Sequence, residues 1–212
     1  MTWEKFKKMT FHQKLDHIWE YYRWHILITV VVLGLVSSWV YGIVTEKEPL
    51  MEVVMINAYG RTPEGEAFRP FLEQAGYSYY DGAVTVNKKI QLNGPDGSQS
   101  YAGAQLLMCT LAAGEPDLIF WDSREVPPPL ADGVLRDLRD ILPPDLMARY
   151  QEELVYAENA DTGEAYPCGI YLEENPWVTE QMYYVNCTAG VPFSVKEEAL
   201  AGAVLEEILT CQ

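Results

Sequence analysis

The sequence predicts an α/β domain with a mostly parallel sheet, attached to the carboxyl end of a single transmembrane helix. Three observations carry this reading. An uncharged apolar run lies between Trp24 and Thr45, and after Pro49 β-branched runs alternate with segments of helical spacing. The short run DLIFW at 117–121, bounded by Pro116 and Asp122, has the form of a central parallel strand.

The apolar run comes first in the chain. Twenty residues from His25, HILITVVVLGLVSSWVYGIV, contain no charge. At 1.5 Å per residue such a helix spans about 30 Å, the thickness of a bilayer's hydrocarbon core. Trp19, Tyr21, Tyr22 and Trp24 precede the run and Trp39 and Tyr41 close it, as aromatic side chains do at the two interfaces. Lys5, Lys7, Lys8, Lys14 and Arg23 lie on the amino side, against Glu46, Lys47 and Glu48 on the other. The positive-inside rule therefore places the N-terminus in the cytoplasm and the remainder outside the cell membrane. A cleaved signal peptide is the competing reading, but its apolar region would be shorter and would end at small residues, which Val40-Tyr41-Gly42 does not provide. No Cys directly follows the run to take a lipid, so the peptide itself is the expected anchor.

The expected division is a cytoplasmic or interfacial segment at 1–23, a membrane helix at 24–45 that meets the lipid bilayer, and an extracytoplasmic domain at 50–212. Leu15, Ile18, Trp19 and Tyr22 share a helical spacing, and this stretch is expected along the inner interface. Within the span, Gly34, Ser38 and Gly42 recur every fourth residue and mark one face on which a second membrane helix can approach closely, so self-association is expected there.

Beyond Pro49, MEVVMINAY (51–59) reads as a strand, and a helix follows from Pro63 to about Ala75, where Gly76 stops it. AVTVNKKIQL (83–92) is a second strand and NGPDGS (93–98) a turn. From Gln99 to Ala113 the spacing of Ala102, Leu106, Cys109, Leu111 and Ala113 predicts a mostly buried helix, ended by Gly114. PPP at 127–129 and PP at 143–144 bracket short helical pieces. LVYAE and EAYPCGIYLE around NADTG predict a hairpin. QMYYVNC (181–187) is a late strand, and Ser194–Thr210 a closing amphipathic helix with Ala199, Ala203, Val204 and Ile208 inward.

Charge and residue types exclude several functions. Residues 49–212 hold nine Lys/Arg against twenty-six Asp/Glu, a net −17, which repels phosphate backbones, so no nucleic-acid partner is expected. The three histidines, His12, His17 and His25, all precede the outer domain, which removes His-based triads and zinc sites from it. Neither GxxxxGK[ST] nor GxGxxG occurs, and no cofactor or metal is expected. The many carboxylates leave acid–base chemistry open by composition without marking a site, and the domain is expected to bind rather than catalyse. Cys109, Cys168, Cys187 and Cys211 lack the density of a disulfide framework and are expected as free thiols, although Cys168 and Cys187 fall on strands that can be neighbours. Asn186-Cys187-Thr188 matches a glycosylation pattern at the end of an expected buried strand.

Four segments in order resemble the extracellular solute-binding proteins that serve ABC transporters. TLAAGEPDLIFWD (110–122) is similar to their helix, Gly, Pro-Asp and buried strand, and GVLRDLRDILPPDL (133–146) to the stretch that follows. ADTGEAYPCGIYLEENPW (160–177) resembles their turn, strand and proline at the crossing between lobes. QMYYVNCTAG with the 194–210 helix resembles the late strand and helix that return to the first lobe. The resemblance implies a single solute-binding-like lobe, because the insertion that forms the family's second lobe has no counterpart here, and one lobe cannot close over a solute. By this resemblance ligand-facing residues lie at the carboxyl ends of the strands, at Asn57, Tyr59, Trp121, Asp122, Tyr171 and Trp177. Two functions stay open: a membrane-tethered module that recognises a small molecule, peptide or partner at the cell surface, and an assembly protein whose outer domain contacts another membrane protein. A polar groove at those strand ends favours the first and a flat apolar patch the second.

Overall fold

A computed structural model describes residues 11–45, 48–58, 65–93, 98–131, 133–159, 162–173, 175–181 and 184–211. The chain divides into two compact units, Met1–Lys47 and Glu48–Gln212. In the first, helix α1 runs from Phe11 to Thr45. Its stretch Tyr22–Gly42, 21 residues, is long and apolar enough to cross a membrane, and none of it is buried in protein. The Thr29 hydroxyl donates to the His25 carbonyl at 2.8 Å, so this polar group is satisfied within the helix. A Cβ added at Gly34 or Gly42 meets nothing within 4 Å.

The second unit is a mixed α/β domain. In chain order it contains β1 (Met51–Met55), a 3-10 turn (Gly65–Phe68), α2 (Arg69–Gln74), β2 (Val84–Asn87), α3 (Tyr101–Ala112), β3 (Leu118–Trp121) and α4 (Pro128–Ala131). A second 3-10 turn (Leu138–Asp140), α5 (Pro144–Arg149), β4 (Leu154–Glu158), β5 (Ala165–Leu172), α6 (Pro176–Gln181), β6 (Cys187–Gly190) and α7 (Glu198–Thr210) follow. The six strands form one sheet in the order β2-β1-β3-β6-β5-β4.

The expected mostly parallel sheet is corrected to a mixed one. β1 pairs parallel with β2 and β3, whereas β6 runs antiparallel to both β3 and β5, and β5 antiparallel to β4. Connections decide this. Parallel neighbours need a crossover, which α2 and α3 supply, but the turn around Gly163 between β4 and β5 is too short for anything except an antiparallel return.

Alternation along the strands builds a core on each face. Met51, Val53, Met55, Leu118 and Phe120 pack with α2 and α7, while Val54, Ile56, Ile119 and Trp121 pack beneath α3 and α4. A β-bulge opposite Val155 and Tyr156 shifts the alternation in β5, so Cys168 joins the second core while Ile170 and Leu172 stay in the first. Cys187 also lies in the first, and the two thiols are free on opposite faces of the sheet. A Cβ at Gly169 would come within 2.9 Å of Trp121 Cη2 and 2.8 Å of Thr188 Cγ2, so the indole occupies the place of a side chain there.

Three further expectations change. The late strand is Cys187–Gly190, and Gln181, where the sequence pattern starts it, ends helix α6. Helix α7 begins at Glu198, and Ala199 is exposed and Ala203 only partly buried, the inward face being carried by Leu200, Ala201, Val204, Leu205 and Ile208. Helix α3 buries Gly103, Leu107 and Thr110, so the periodic set Ala102, Leu106, Cys109 and Ala113, read as core, faces outward. Pro63, the expected helix start, lies outside the described residues.

Candidate functional site

Two parallel strands, β1 and β3, end side by side, and the residues just past them are Asn57 and Asp122. Asn57 is 3% exposed, and with φ of 56° it is the one non-glycine among the described residues in the left-handed region, which Asn tolerates better than most side chains. Three hydrogen bonds hold its amide. Oδ1 accepts from the Leu92 N–H at 2.7 Å and the Asn93 N–H at 3.2 Å, and Nδ2 donates to Asp122 Oδ1 at 3.0 Å. The Asn57 N–H donates to the Ile90 carbonyl at 3.0 Å. One buried side chain thus ties the end of β1 to the 90–93 segment and orients a carboxylate from β3.

Beside this pair the 90–93 segment is joined to the start of α3. The Ser100 N–H donates to Leu92 O at 2.8 Å, and Ser100 Oγ caps the helix by accepting from the Gly103 N–H at 3.1 Å. On the other side the loop after β3 folds back on itself: Trp121 Nε1 and Ser123 Oγ both donate to the Glu125 carbonyl, at 3.0 and 2.7 Å. Thr188 on β6 donates to the Ser123 carbonyl at 2.6 Å. These ties enclose a cleft of about 310 Å³. Asn57, Asn93, Gln99, Ser100, Asp122, Ser123 and Glu125 give it polar groups, and Val126 with Pro127, Pro128 and Pro129 gives it an apolar wall. Tyr101 stands at its edge, 93% exposed.

Of the six residues expected to face a ligand, Asn57 and Asp122 are brought together in this cleft. Tyr59 lies outside the described residues. Trp121 is corrected to core: it is 0% exposed, because the alternation of β3 turns it beneath α3 and α4, and its one polar atom is hydrogen-bonded. Trp177 is likewise core, on the opposite face, edge-on to Phe68 at 5.0 Å and Phe71 at 5.1 Å, with a buried N–H that has no partner among the described residues. Tyr171 does not line the cleft; its ring lies under the Arg124 guanidinium at 4.6 Å. The sequence reading missed Ser100, Tyr101 and Glu125. The signal for Ser100 was present, since a Ser before an apolar periodic segment marks a helix start.

Among the described residues the lining contains no Lys, Arg, His or Cys. Among the described residues no group of three or more His, Cys, Asp and Glu side chains is placed to hold a metal ion. The cleft offers hydrogen-bond acceptors, hydroxyls and amides around a carboxylate, an arrangement suited to holding a ligand. Outside it, the uncharged helix α3 presents a second feature, Leu106 and Met108, 41% and 51% exposed, beside the exposed Cys109.

No protein-family model, curated protein or solved structure matches the chain.

Proposed function

We propose that this chain is a single-pass membrane protein with a cytoplasmic N-terminus, whose 48–212 unit is a one-lobed solute-binding-like module that recognises a ligand at the cell surface. The observation that carries the reading is the polar cleft at the carboxyl ends of β1 and β3, where open α/β sheets place their sites. The position of β6 agrees with it: the resemblance implies a late strand returning to the first lobe, and the last strand of this chain enters the middle of the sheet beside β3. Recognition without closure is the expected mode, because no second lobe covers the cleft among the described residues.

A thermal-shift screen of the full-length protein in detergent against sugars, amino acids, amines and short peptides tests this. A ligand should raise the unfolding midpoint, and Ala104→Leu, which places a bulkier side chain in the cleft wall, should remove the response while the protein stays folded. A screen with no response, or a response that survives in Ala104→Leu, would overturn the reading.

The exposed apolar face of α3 supports a second reading, an assembly protein whose outer domain contacts another membrane protein. Exposed Leu106 and Met108 side chains, flanking the outward side of an uncharged helix, favour burial against a partner. Under that reading Leu106→Lys with Met108→Lys disrupts a complex recovered from membranes and Ala104→Leu does not.

A further inference from the structure

Building on the cleft reading above, we infer that the ligand is a small organic cation, an ammonium compound whose charge meets the Asp122 carboxylate. Among the described residues the one hydrogen bond to that carboxylate comes from Asn57, at Oδ1, and Oδ2 is left for a ligand. Asn57 cannot turn away to compete, because its own oxygen is held by two backbone N–H groups and its side chain is buried. The carboxylate is therefore oriented before any ligand arrives.

The rest of the lining narrows the class by charge. Glu125 meets the cleft beside its backbone carbonyl, which accepts from Trp121 and Ser123, and its own side chain is exposed; the other polar groups are neutral amides and hydroxyls. An anion entering here would lose hydration against the Asp122 carboxylate with no Lys, Arg or His among the described lining residues, whereas an ammonium gains a charge-assisted bond to Asp122. The apolar wall of Val126 and the three prolines suits methylene groups, and the exposed Tyr101 ring offers a face to a cation at the rim. A domain with nine basic against twenty-six acidic residues also concentrates cations around it. At about 310 Å³ the cleft lies at the small end of ligand sites, which points to a molecule of diamine size.

The test uses three probes of matched length and opposite or absent charge: putrescine, 1,4-butanediol and succinate. Each is titrated calorimetrically into the full-length protein in detergent at about 0.15 M salt, where non-specific attraction beyond about 8 Å is screened. Putrescine should bind and the other two should not. Asp122→Asn keeps an acceptor for Asn57 and removes the charge, so it should weaken putrescine by about tenfold or more, roughly 1.4 kcal/mol, while the protein still unfolds in a cooperative transition. Glu125→Gln, on an exposed side chain, should weaken it in the same direction and serves if the first variant does not fold. Binding of the diol or of succinate as tight as that of putrescine, or putrescine binding unaltered in both variants, overturns the cation assignment. No heat with any of the three overturns it as well, while the cleft reading is judged separately by the wider screen and Ala104→Leu.

Discussion

Replacing Asn57 by Asp tests the tie between β1 and β3 at almost no change in shape. The new carboxylate keeps an oxygen for the Leu92 and Asn93 N–H groups, but where an amide N–H now donates to Asp122 at 3.0 Å two carboxylates would face each other. Loss of the bond to a charged acceptor is worth about 1.5–3 kcal/mol. Repulsion between two charges about 4 Å apart near a protein surface adds up to about 4 kcal/mol. The pair escapes part of this by sharing a proton, and holding that proton at pH 7 on a carboxyl of ordinary pKa, about 3.9, costs about 4 kcal/mol at 1.36 kcal/mol per unit. The expected loss at pH 7 is therefore about 3–4 kcal/mol.

The sign with pH follows from the shared proton. The folded variant holds one carboxyl pKa above its unfolded value, so the folded state binds more protons and stability falls as pH rises. The deficit against the native chain should grow by up to about 1.4 kcal/mol per pH unit from about pH 4 upward and be small below it. Urea unfolding followed by the fluorescence of the buried Trp121 and Trp177 measures it across pH 4–7.5. Asn57→Ala, which strands a buried N–H at every pH, should instead show a deficit of about 2–4 kcal/mol that does not vary. An Asn57→Asp deficit that is constant with pH, or under about 1 kcal/mol at pH 7, would refute the reasoning.

Asp117, 2% exposed, accepts from the Glu52 N–H at 2.8 Å and the Lys196 N–H at 2.9 Å, and Asp117→Ala should cost about 3 kcal/mol by urea unfolding. Impermeant maleimide added to intact cells should label the exposed Cys109 and spare a thiol introduced by Lys8→Cys, and the reverse pattern would place the 48–212 unit in the cytoplasm. In the same reaction Cys168, whose thiol burial pushes up to about 12, should stay unmodified until denaturant is added. Gly34→Ile with Gly42→Ile meets no neighbour in a single copy, so reduced dimer in a membrane-helix association assay would report loss of a helix–helix contact, and unchanged dimer would exclude that face.

The parts legible in the sequence were those where one local signal decides. DLIFW is buried along the whole of β3 because a short apolar run between Pro116 and Asp122 has no polar side to expose. The rule that sites lie at strand carboxyl ends located Asn57 and Asp122, but periodicity alone cannot tell which residues at a strand end turn inward, and Trp121 went to the core; Trp177 is not at a strand end but in helix α6, which carries it into the other core. Helix α3 shows the same limit more sharply. Its apolar spacing is real, yet an uncharged helix has two apolar faces, and packing chose the one with Gly103, Leu107 and Thr110. Strand β6 was displaced in the reading because CTAG carries little β propensity: Gly190 is small where the Trp121 ring lies against it, a constraint set by a residue far away in the chain.

The place of β6 also governs how the domain can come into being. Residues 51–121 make one half of the sheet and 154–172 the other, and only β6, near the carboxyl end, joins them. A chain delivered amino end first thus waits, with β3 and β5 each lacking a neighbour, until Gly190 has arrived. During that interval the same strand from a second molecule fits the gap equally well, so exchange between nascent copies is the characteristic error of this topology. By the same logic a chain ending before Val185 should be rescued by a separately supplied segment carrying β6 and α7.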